Sequence, residues 1–121
     1  MLLKDFYKVI SSSKETNQFV TEISINKNHP LYKGHFPNRP VTPGVVLMNL
    51  FKEETERQVG CLLALQKAVN VKFMAVVDPT SCANLVLETQ IDQVDNEYKV
   101  KGIARQNGEM ALKFNAIYKA I

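Results

Sequence analysis

The residues best suited to chemistry lie in the segment Gly34–Gly44 and in the apolar stretch that follows it. His35 is one of only two histidines in the chain, and an imidazole titrates near neutral pH, so it can serve as a base or an acid. The segment ends in Pro43-Gly44, a pair typical of a rigid turn that leads into a helix. The first backbone amides of a helix lack intrahelical partners and attract negative charge. A histidine beside such amides indicates an active site.

Asn49 is the only polar side chain in the first two turns of the predicted helix, from Gly44 to Phe51. Left buried and unpaired, its amide would cost on the order of 1–3 kcal/mol, so we expect Asn49 either to bond to loop backbone or to take part in the site. His29 precedes Pro30 in a polar loop and is interpreted as structural. The two histidines have no third ligand nearby, so no metal site is predicted.

Length, charge and cysteine content exclude several classes of protein. The 121 residues are predicted to form one domain, residues 1–121. The net charge of +3, without an arginine-rich tract, does not indicate a nucleic-acid partner. Cys61 and Cys82 lack ligand-like spacing and are interpreted as reduced thiols. No stretch resembles a signal peptide or a membrane span, so we expect a cytoplasmic protein without a membrane partner. Nothing in the sequence indicates a cofactor.

The sequence pattern up to residue 43 predicts one strand between less regular segments. Residues 2–8 are predicted as a short helix and Ser11–Ser13 as a linker. Residues 16–26 alternate and predict a strand, and residues 27–43 predict a long loop, which is usually functional in a compact domain. One face of the strand carries Phe19, Thr21, Ile23 and Ile25.

A helix is predicted from Gly44 to Val59, stopping at Gly60. Its first half is apolar all round, so we expect it to be buried on every side, and its polar second half to lie in solvent. Four alternating strands follow, with turns at Asp95-Asn96 and Asn107-Gly108. The order of elements predicts an α+β fold with a sheet wrapped around the helix. The strands are read from Val69, Val71, Phe73 and Ala75; Leu85, Leu87, Thr89 and Ile91; Tyr98, Val100, Gly102 and Ala104; and Met110, Leu112, Phe114, Ala116 and Tyr118.

The run Asn28–Val45 resembles the signature of the 3-hydroxyacyl-[acyl-carrier-protein] dehydratases of fatty-acid synthesis. That signature is Gly-His-Phe-Pro, a Pro-Val two residues later, and a Pro-Gly-Val that opens the central helix, all present here. Val71-Lys72-Phe73 and Asp78-Pro79 resemble the family's later strand and turn. The resemblance implies the hot-dog fold, an antiparallel sheet wrapped around one long helix. It also implies a homodimer or higher even oligomer, or a hetero-oligomer.

The resemblance implies the roles of individual residues. His35 matches the family's base, and Gly44 matches the glycine whose amide polarises the thioester carbonyl. Asn49 stands where the family has its acid, 14 positions after the histidine. The assignments to substrate binding are Phe36, Pro43, Val45 and Glu53. Lys33 and Arg39 are assigned to contact with acyl carrier protein or its phosphopantetheine phosphate, with ordinary surface charge as the alternative.

Asn49 leaves the activity open, because an amide donates a hydrogen bond but cannot give up a proton at pH 7. General acid catalysis is worth about 10²–10⁴ in rate. Three alternatives follow: His35 shuttles the proton while Asn49 orients the hydroxyl or a water, Glu53 one turn later supplies the acid, or the chain is a non-catalytic subunit. The sequence therefore predicts a dehydratase of acyl thioesters, or a hot-dog subunit that binds acyl carrier protein or pairs with an active dehydratase. A hot-dog thioesterase is the third possibility, and the Gly-His-Phe-Pro signature argues against it.

Overall fold

A computed structural model describes residues 5–34 and 41–121 of the chain. Six strands and two helices occur in this part of the chain, and the sheet is antiparallel throughout, in the order β1-β2-β4-β5-β6-β3. The predicted α+β fold is confirmed. The elements are β1 (Tyr7–Glu15), β2 (Gln18–Ile25), α1 (Leu31–Gly34), α2 (Gly44–Val59), β3 (Leu63–Phe73), β4 (Asn84–Val94), β5 (Glu97–Gln106) and β6 (Glu109–Ala120).

The predicted bounds of the long helix α2 are confirmed. Pro43 is its N-cap, with extended backbone angles, and Gly60 ends it in the left-handed conformation with φ of 79°. The amide of Gly60 donates to the carbonyl of Glu56 at 2.9 Å, a C-cap that glycine adopts without steric cost. The buried face of α2 packs on one face of the sheet. Its members are Val46, Leu47, Leu50, Phe51, Glu54 and Thr55.

The predicted burial of α2 was wrong in both halves. In the first half Val45 is 67% exposed, and Met48 and Asn49 are only half-buried, because the sheet covers one side of the helix and leaves the other open. In the second half Glu54 and Thr55 are buried rather than solvated. Hydrogen bonds to these polar side chains remove the cost of burying them.

The amino-terminal prediction was also wrong. In place of the short helix over residues 2–8 and the serine linker, residues 5–6 form a turn and β1 follows, while residues 2–4 lie outside the described part. β1 pairs with β2 almost residue for residue, and the Ser12 hydroxyl bonds to Thr21 Oγ1 at 3.0 Å. Serines tolerate this edge strand because its side chains are mostly exposed. The extended conformation of this segment therefore comes from pairing with β2, because its own sequence pattern does not indicate a strand.

The predicted core faces of β2, β4, β5 and β6 are buried, except that Met110 is half-buried. Asn107 and Gly108 both have positive φ, 53° and 77°, as the hairpin turn predicted there requires. The strand predicted from Val69 begins six residues earlier, at Leu63. Its register shifts between Val69 and Lys72, around Asn70 with φ of 53°, so the strand does not keep the simple alternation.

Candidate active site

The start of α2 brings backbone amides to an accessible corner of the molecule. The amides of Val46 and Leu47 both donate to the carbonyl of Pro43, at 3.0 and 3.2 Å. A Cβ built on Gly44 would lie only 2.6 Å from Cζ of Phe73, so a side chain at this position would displace that ring. Glycine therefore lets the end of β3 approach the first turn closely. Because the Val46 and Leu47 amides are occupied, the donors that the turn can present to an oxygen that develops negative charge are the amides of Gly44 and Val45, which lack intrahelical partners.

Asn49 lies one turn beyond this corner and bonds to its own helix. Its Nδ2 donates to the carbonyl of Val45 at 3.0 Å, while the predicted bond to loop backbone involves a loop that lies partly outside the described residues. Val45 itself is 67% exposed. The open side of the first two turns thus carries Val45 and the Asn49 amide, and among the described residues the amide donates to its own helix, a bond that a ligand could replace.

Glu53 lies a further turn along and is held from β1. The hydroxyl of Tyr7 donates to Glu53 Oε1 at 2.9 Å, in a half-buried position. Burial, followed by the bond to Glu53 and the charge of that carboxylate, raises the pKa of Tyr7 well above its usual value. The phenol therefore stays protonated and donating. One carboxylate oxygen of Glu53 accepts this bond, so the contact with β1 orients the Glu53 side chain.

Glu54 sits at the centre of a buried network that joins α2 to β2. It is 3% exposed and accepts hydrogen bonds from Thr21 Oγ1 at 2.5 Å, Arg57 at 2.8 Å and Gln58 at 2.9 Å. The interpretation of Glu54 as part of a solvated face was wrong. A buried carboxylate with this many donors is stably accommodated, so Glu54 holds the helix in place rather than facing a substrate.

A hydrogen bond joins described residues on either side of residues 35–40. Tyr32, in α1, and Thr42, just before α2, are both buried and their hydroxyls lie 2.8 Å apart. The amide of Thr42 also donates to the carbonyl of Val77 at 3.0 Å. Burial raises the pKa of Tyr32, so this hydroxyl remains protonated. His35, Phe36 and Arg39, which were predicted as base, substrate contact and carrier contact, lie outside the described residues.

Four of the predicted site residues that the structure describes lie together. Pro43, Gly44, Val45 and Asn49 share the first turns of α2. Glu53 is on the same helix but is tied to β1, and Lys33 is exposed at the end of α1.

His29 has a structural role, as predicted. Its Nδ1 accepts a hydrogen bond from the amide of Leu31 at 3.0 Å, which caps α1. Its ring also meets the buried ring of Phe6 edge-on, with centroids 5.3 Å apart. This histidine is therefore part of the support for α1.

Sequence reasoning missed the residues that support the site from other elements. Tyr7 and Phe73 reach α2 from the two edge strands, and the Tyr32–Thr42 pair spans ten positions. No local pattern pointed to Tyr7, because its segment was read as a helix. The only signal for Tyr32 and Thr42 was their place on either side of the unusual loop.

Within the described residues no helix has the length and apolarity to cross a membrane.

Comparison with known proteins identifies close sequence and fold relationships. The family model described as ApeI dehydratase, ApeI-like, matches residues 11–113. The 3-hydroxyacyl-[acyl-carrier-protein] dehydratase FabZ of Rickettsia bellii is 31% identical over 120 residues, covering 87% of this chain and 79% of the relative. The FabZ of Xanthomonas oryzae pv. oryzae is 30% identical over 113 residues, covering 85% of this chain and 72% of the relative. The FabZ of Caldanaerobacter subterraneus is 29% identical, and 67% of its length is covered.

Solved structures share the fold at low sequence identity. The dehydratase heterocomplex ApeI:P from Xenorhabdus doucetiae superposes with a TM-score of 0.74 at 16% identity, covering 93% of this chain and 96% of that one. A hypothetical thioesterase from Streptococcus pneumoniae, solved with coenzyme A, has a TM-score of 0.68 at 11% identity and covers 98% of this chain and 90% of that one. The expectation of a hot-dog fold is confirmed. Because both dehydratases and thioesterases share it, the fold does not choose the reaction.

Proposed function

Because the chain belongs to the ApeI-like family of FabA/FabZ-type dehydratases, we propose that it eliminates water from 3-hydroxyacyl thioesters carried on acyl carrier protein. The product is the trans-2-enoyl thioester of the same chain length. In this proposal His35 takes the proton from the carbon next to the carbonyl. The amide of Gly44 stabilises the enolate-like oxygen that forms, and the bond from the third carbon to its hydroxyl then breaks.

The observation that carries the proposal is the start of α2. A glycine follows the N-cap Pro43, its backbone is approached closely by Phe73, and the neighbouring side of the helix is open at Val45 and Asn49. Hydrogen-bond donors fixed in advance toward a developing oxyanion commonly accelerate a reaction more than any other single effect, by on the order of 10²–10³ in rate per donor. The first turn of α2 has the backbone amides that such a site needs.

The leaving hydroxide needs a proton, and Asn49 cannot supply it. We infer that the proton taken by His35 is returned to the departing hydroxyl, while the Asn49 amide orients that oxygen. The competing donor, Glu53, already accepts the hydroxyl of Tyr7 and is one turn further from Gly44. Its engagement with β1 favours the histidine route over the glutamate route.

The test compares two histidine variants in the hydration or dehydration of a short acyl thioester, followed by absorbance. His35→Ala should lower turnover by at least about 10²-fold, the lower end for loss of a general base. His29→Asn is the matched control, since an asparagine can still accept the Leu31 amide, and it should retain turnover. Comparable rates in His35→Ala and the unaltered protein would show that His35 is not the base.

A second function, a non-catalytic subunit that pairs with an active dehydratase, is favoured by one observation. Asn49 occupies the family's acid position and its amide is already bonded within the helix. The Xenorhabdus protein of similar fold is a heterocomplex, so pairing with a different chain is compatible with this architecture. Under this alternative the unaltered protein alone would be inactive with every thioester tested, and adding an active partner would restore turnover.

A further inference from the structure

The connection between β3 and β4 passes along the start of α2. Where this connection leaves β3, the ring of Phe73 lies against the position of Gly44. Further on, the carbonyl of Val77, a residue that is only 1% exposed, accepts the amide of Thr42 at 3.0 Å. Thr42 lies two positions before Gly44. The course of the connection therefore affects where the first turn of α2 is held.

A buried side-chain amide fixes the far end of this connection. Gln106, at the end of β5, is 9% exposed. Its Nε2 donates to the carbonyls of Asp78 and Cys82, at 2.9 and 2.7 Å, and its Oε1 accepts the amide of Asp78 at 3.4 Å. A glutamine amide has two N–H donors and one acceptor oxygen, and all of these are used here. Both ends of the turn 78–82 are thus bonded to one side chain on the sheet.

A glutamine is an unusual residue at this position of the strand. Alternation along β5 places Gln106 on the face that packs against the core. Burying an amide costs free energy unless its polar groups are bonded, and in the described part of the chain its partners are backbone groups of the turn 78–82. The glutamine therefore serves the turn rather than the packing of the core. The inward positions that precede it are Tyr98, Val100, Gly102 and Ala104.

Thr42 connects the turn to the candidate active site. Its amide is bonded to Val77, the residue directly before Asp78, and its hydroxyl lies 2.8 Å from that of Tyr32. Because Val77 and Asp78 are adjacent in the chain, a shift of the turn also moves the acceptor of the Thr42 amide. One proline separates Thr42 from Gly44, and its ring restricts the backbone there. A shift of the turn is therefore passed on to the first turn of α2.

We propose that Gln106 is a positioning residue for the reaction, which sets the place of the Gly44 and Val45 amides relative to the thioester carbonyl; this rests on the proposed function. It acts through the turn 78–82, Val77 and Thr42, and does not touch the substrate. Positioning of this kind matters because a misplacement of about 1 Å, caused far from the reacting atoms, can cost on the order of 10²-fold in rate.

The first measurement is the turnover of a short 3-hydroxyacyl thioester by Gln106→Met. This change keeps the length of the side chain and removes its N–H donors. We expect kcat to fall by about tenfold or more while KM stays within about twofold, because displaced amides weaken transition-state stabilisation more than binding. Gln90→Met is the matched control: it makes the same change at a half-buried position of β4, where Nε2 donates to the exposed side chain of Asp92 at 3.3 Å. Its kcat should stay within about twofold of the unaltered protein.

Hydrogen exchange at single amides, followed by NMR, separates positioning from a general effect on stability. In Gln106→Met the Thr42 amide should exchange at least about tenfold faster, because the turn that holds its acceptor opens locally. The amides of Ile91 and Gly60, which donate to backbone carbonyls elsewhere in the fold, should change by less than about twofold. Gln106→Asn keeps the amide but shortens its reach, so it should show the same pattern to a smaller degree. This variant carries the test if circular dichroism shows that Gln106→Met is unfolded.

Three results would overturn the proposal. Equal acceleration of exchange at Thr42, Ile91 and Gly60 would show that Gln106 only stabilises the whole fold. An unchanged kcat in a variant with faster Thr42 exchange would show that the turn does not position the site, and an equal loss of kcat in Gln90→Met would show that the effect is not specific to Gln106. Exchange needs no turnover, so the two proposals fail separately: a local effect on Thr42 in a protein without turnover refutes the proposed function, whereas turnover without that local effect refutes the positioning role.

Discussion

At the scale of single residues, the proposed mechanism depends most on Asn49. The sequence placed this residue on the helix that follows the histidine segment, and the structure confirms that placement. The sequence did not reveal that the amide bonds to Val45, since that bond depends on a side-chain rotamer. Nor could sequence show that Tyr7 holds Glu53, a contact across 46 positions.

The Asn49→Glu variant tests the missing acid. A carboxylic acid at this position would restore a proton donor, so we expect dehydration to rise by about twofold to tenfold, a small part of the 10²–10⁴ that general acid catalysis can supply. The matched control Asn49→Gln keeps an amide and should show no gain. Both are compared by absorbance with a short 3-hydroxyacyl thioester. A lower rate in Asn49→Glu would mean that orientation of the hydroxyl by the amide contributes more than a second proton donor does.

At the scale of elements, the sheet holds α2 through a small number of close contacts. Gly102 on β5 has no room for a side chain, because a Cβ there would overlap the ring of Phe114 and touch Phe51. These two rings meet edge-on with centroids 4.9 Å apart, and both are fully buried. The glycine thus lets aromatic side chains of β6 and α2 pack over the middle of the sheet.

The Gly102→Ala variant measures this packing. The added methyl group must displace a buried ring, so we expect the free energy of unfolding to fall by about 1–3 kcal/mol, as for other overpacked cores. Gly34→Ala is the matched control, because no atom of the described residues lies within 4 Å of its Cβ position, and its effect should stay within about 0.5 kcal/mol. Chemical denaturation followed by circular dichroism gives both values. Equal effects of the two substitutions would show that the contact around Gly102 is loose.

The elements also show why some structure was predictable and some was not. Pro43-Gly44 at one end and Gly60 at the other indicated the bounds of α2, and Asn107-Gly108 indicated a hairpin. The prediction for the segment of β1 was wrong because its conformation comes from pairing with β2 rather than from its own serine-rich pattern. The prediction that Glu54 is solvated was wrong for the same reason, since Thr21 on another element donates one of the hydrogen bonds that Glu54 accepts. In both cases the wrong prediction came from contacts between segments that are distant in the sequence.

At the scale of the whole molecule, one edge of the sheet is unusually apolar for a surface. β3 is an edge strand, and Leu65 is 48% and Phe73 55% exposed. Val45, at the adjacent start of α2, is 67% exposed. An apolar edge strand invites pairing with another chain. We therefore propose a dimer that joins β3 edges and brings His35 of one chain toward Asn49 of the other.

The Leu65→Glu variant tests the dimer. In a twofold interface each substitution occurs twice, so two new charges would be buried near each other and should dissociate the assembly. Val94→Glu is the matched control, because Val94 is also 48% exposed but lies at the end of β4, away from that edge. Light scattering at micromolar concentration should give a dimer for the unaltered protein and the control, and a monomer for Leu65→Glu. A monodisperse monomer for the unaltered protein would contradict the assembly.

The central claim is that this site adds water to, or removes it from, an acyl chain whose thioester stays intact. The most direct measurement is mass spectrometry of a short trans-2-enoyl thioester incubated with the protein in oxygen-18 water. A dehydratase working in reverse should yield the 3-hydroxyacyl thioester with the heavy oxygen on its third carbon, and His35→Ala should yield none. A free acid with the heavy oxygen in its carboxylate would identify a thioesterase instead, and an unchanged thioester would contradict catalysis by this chain alone.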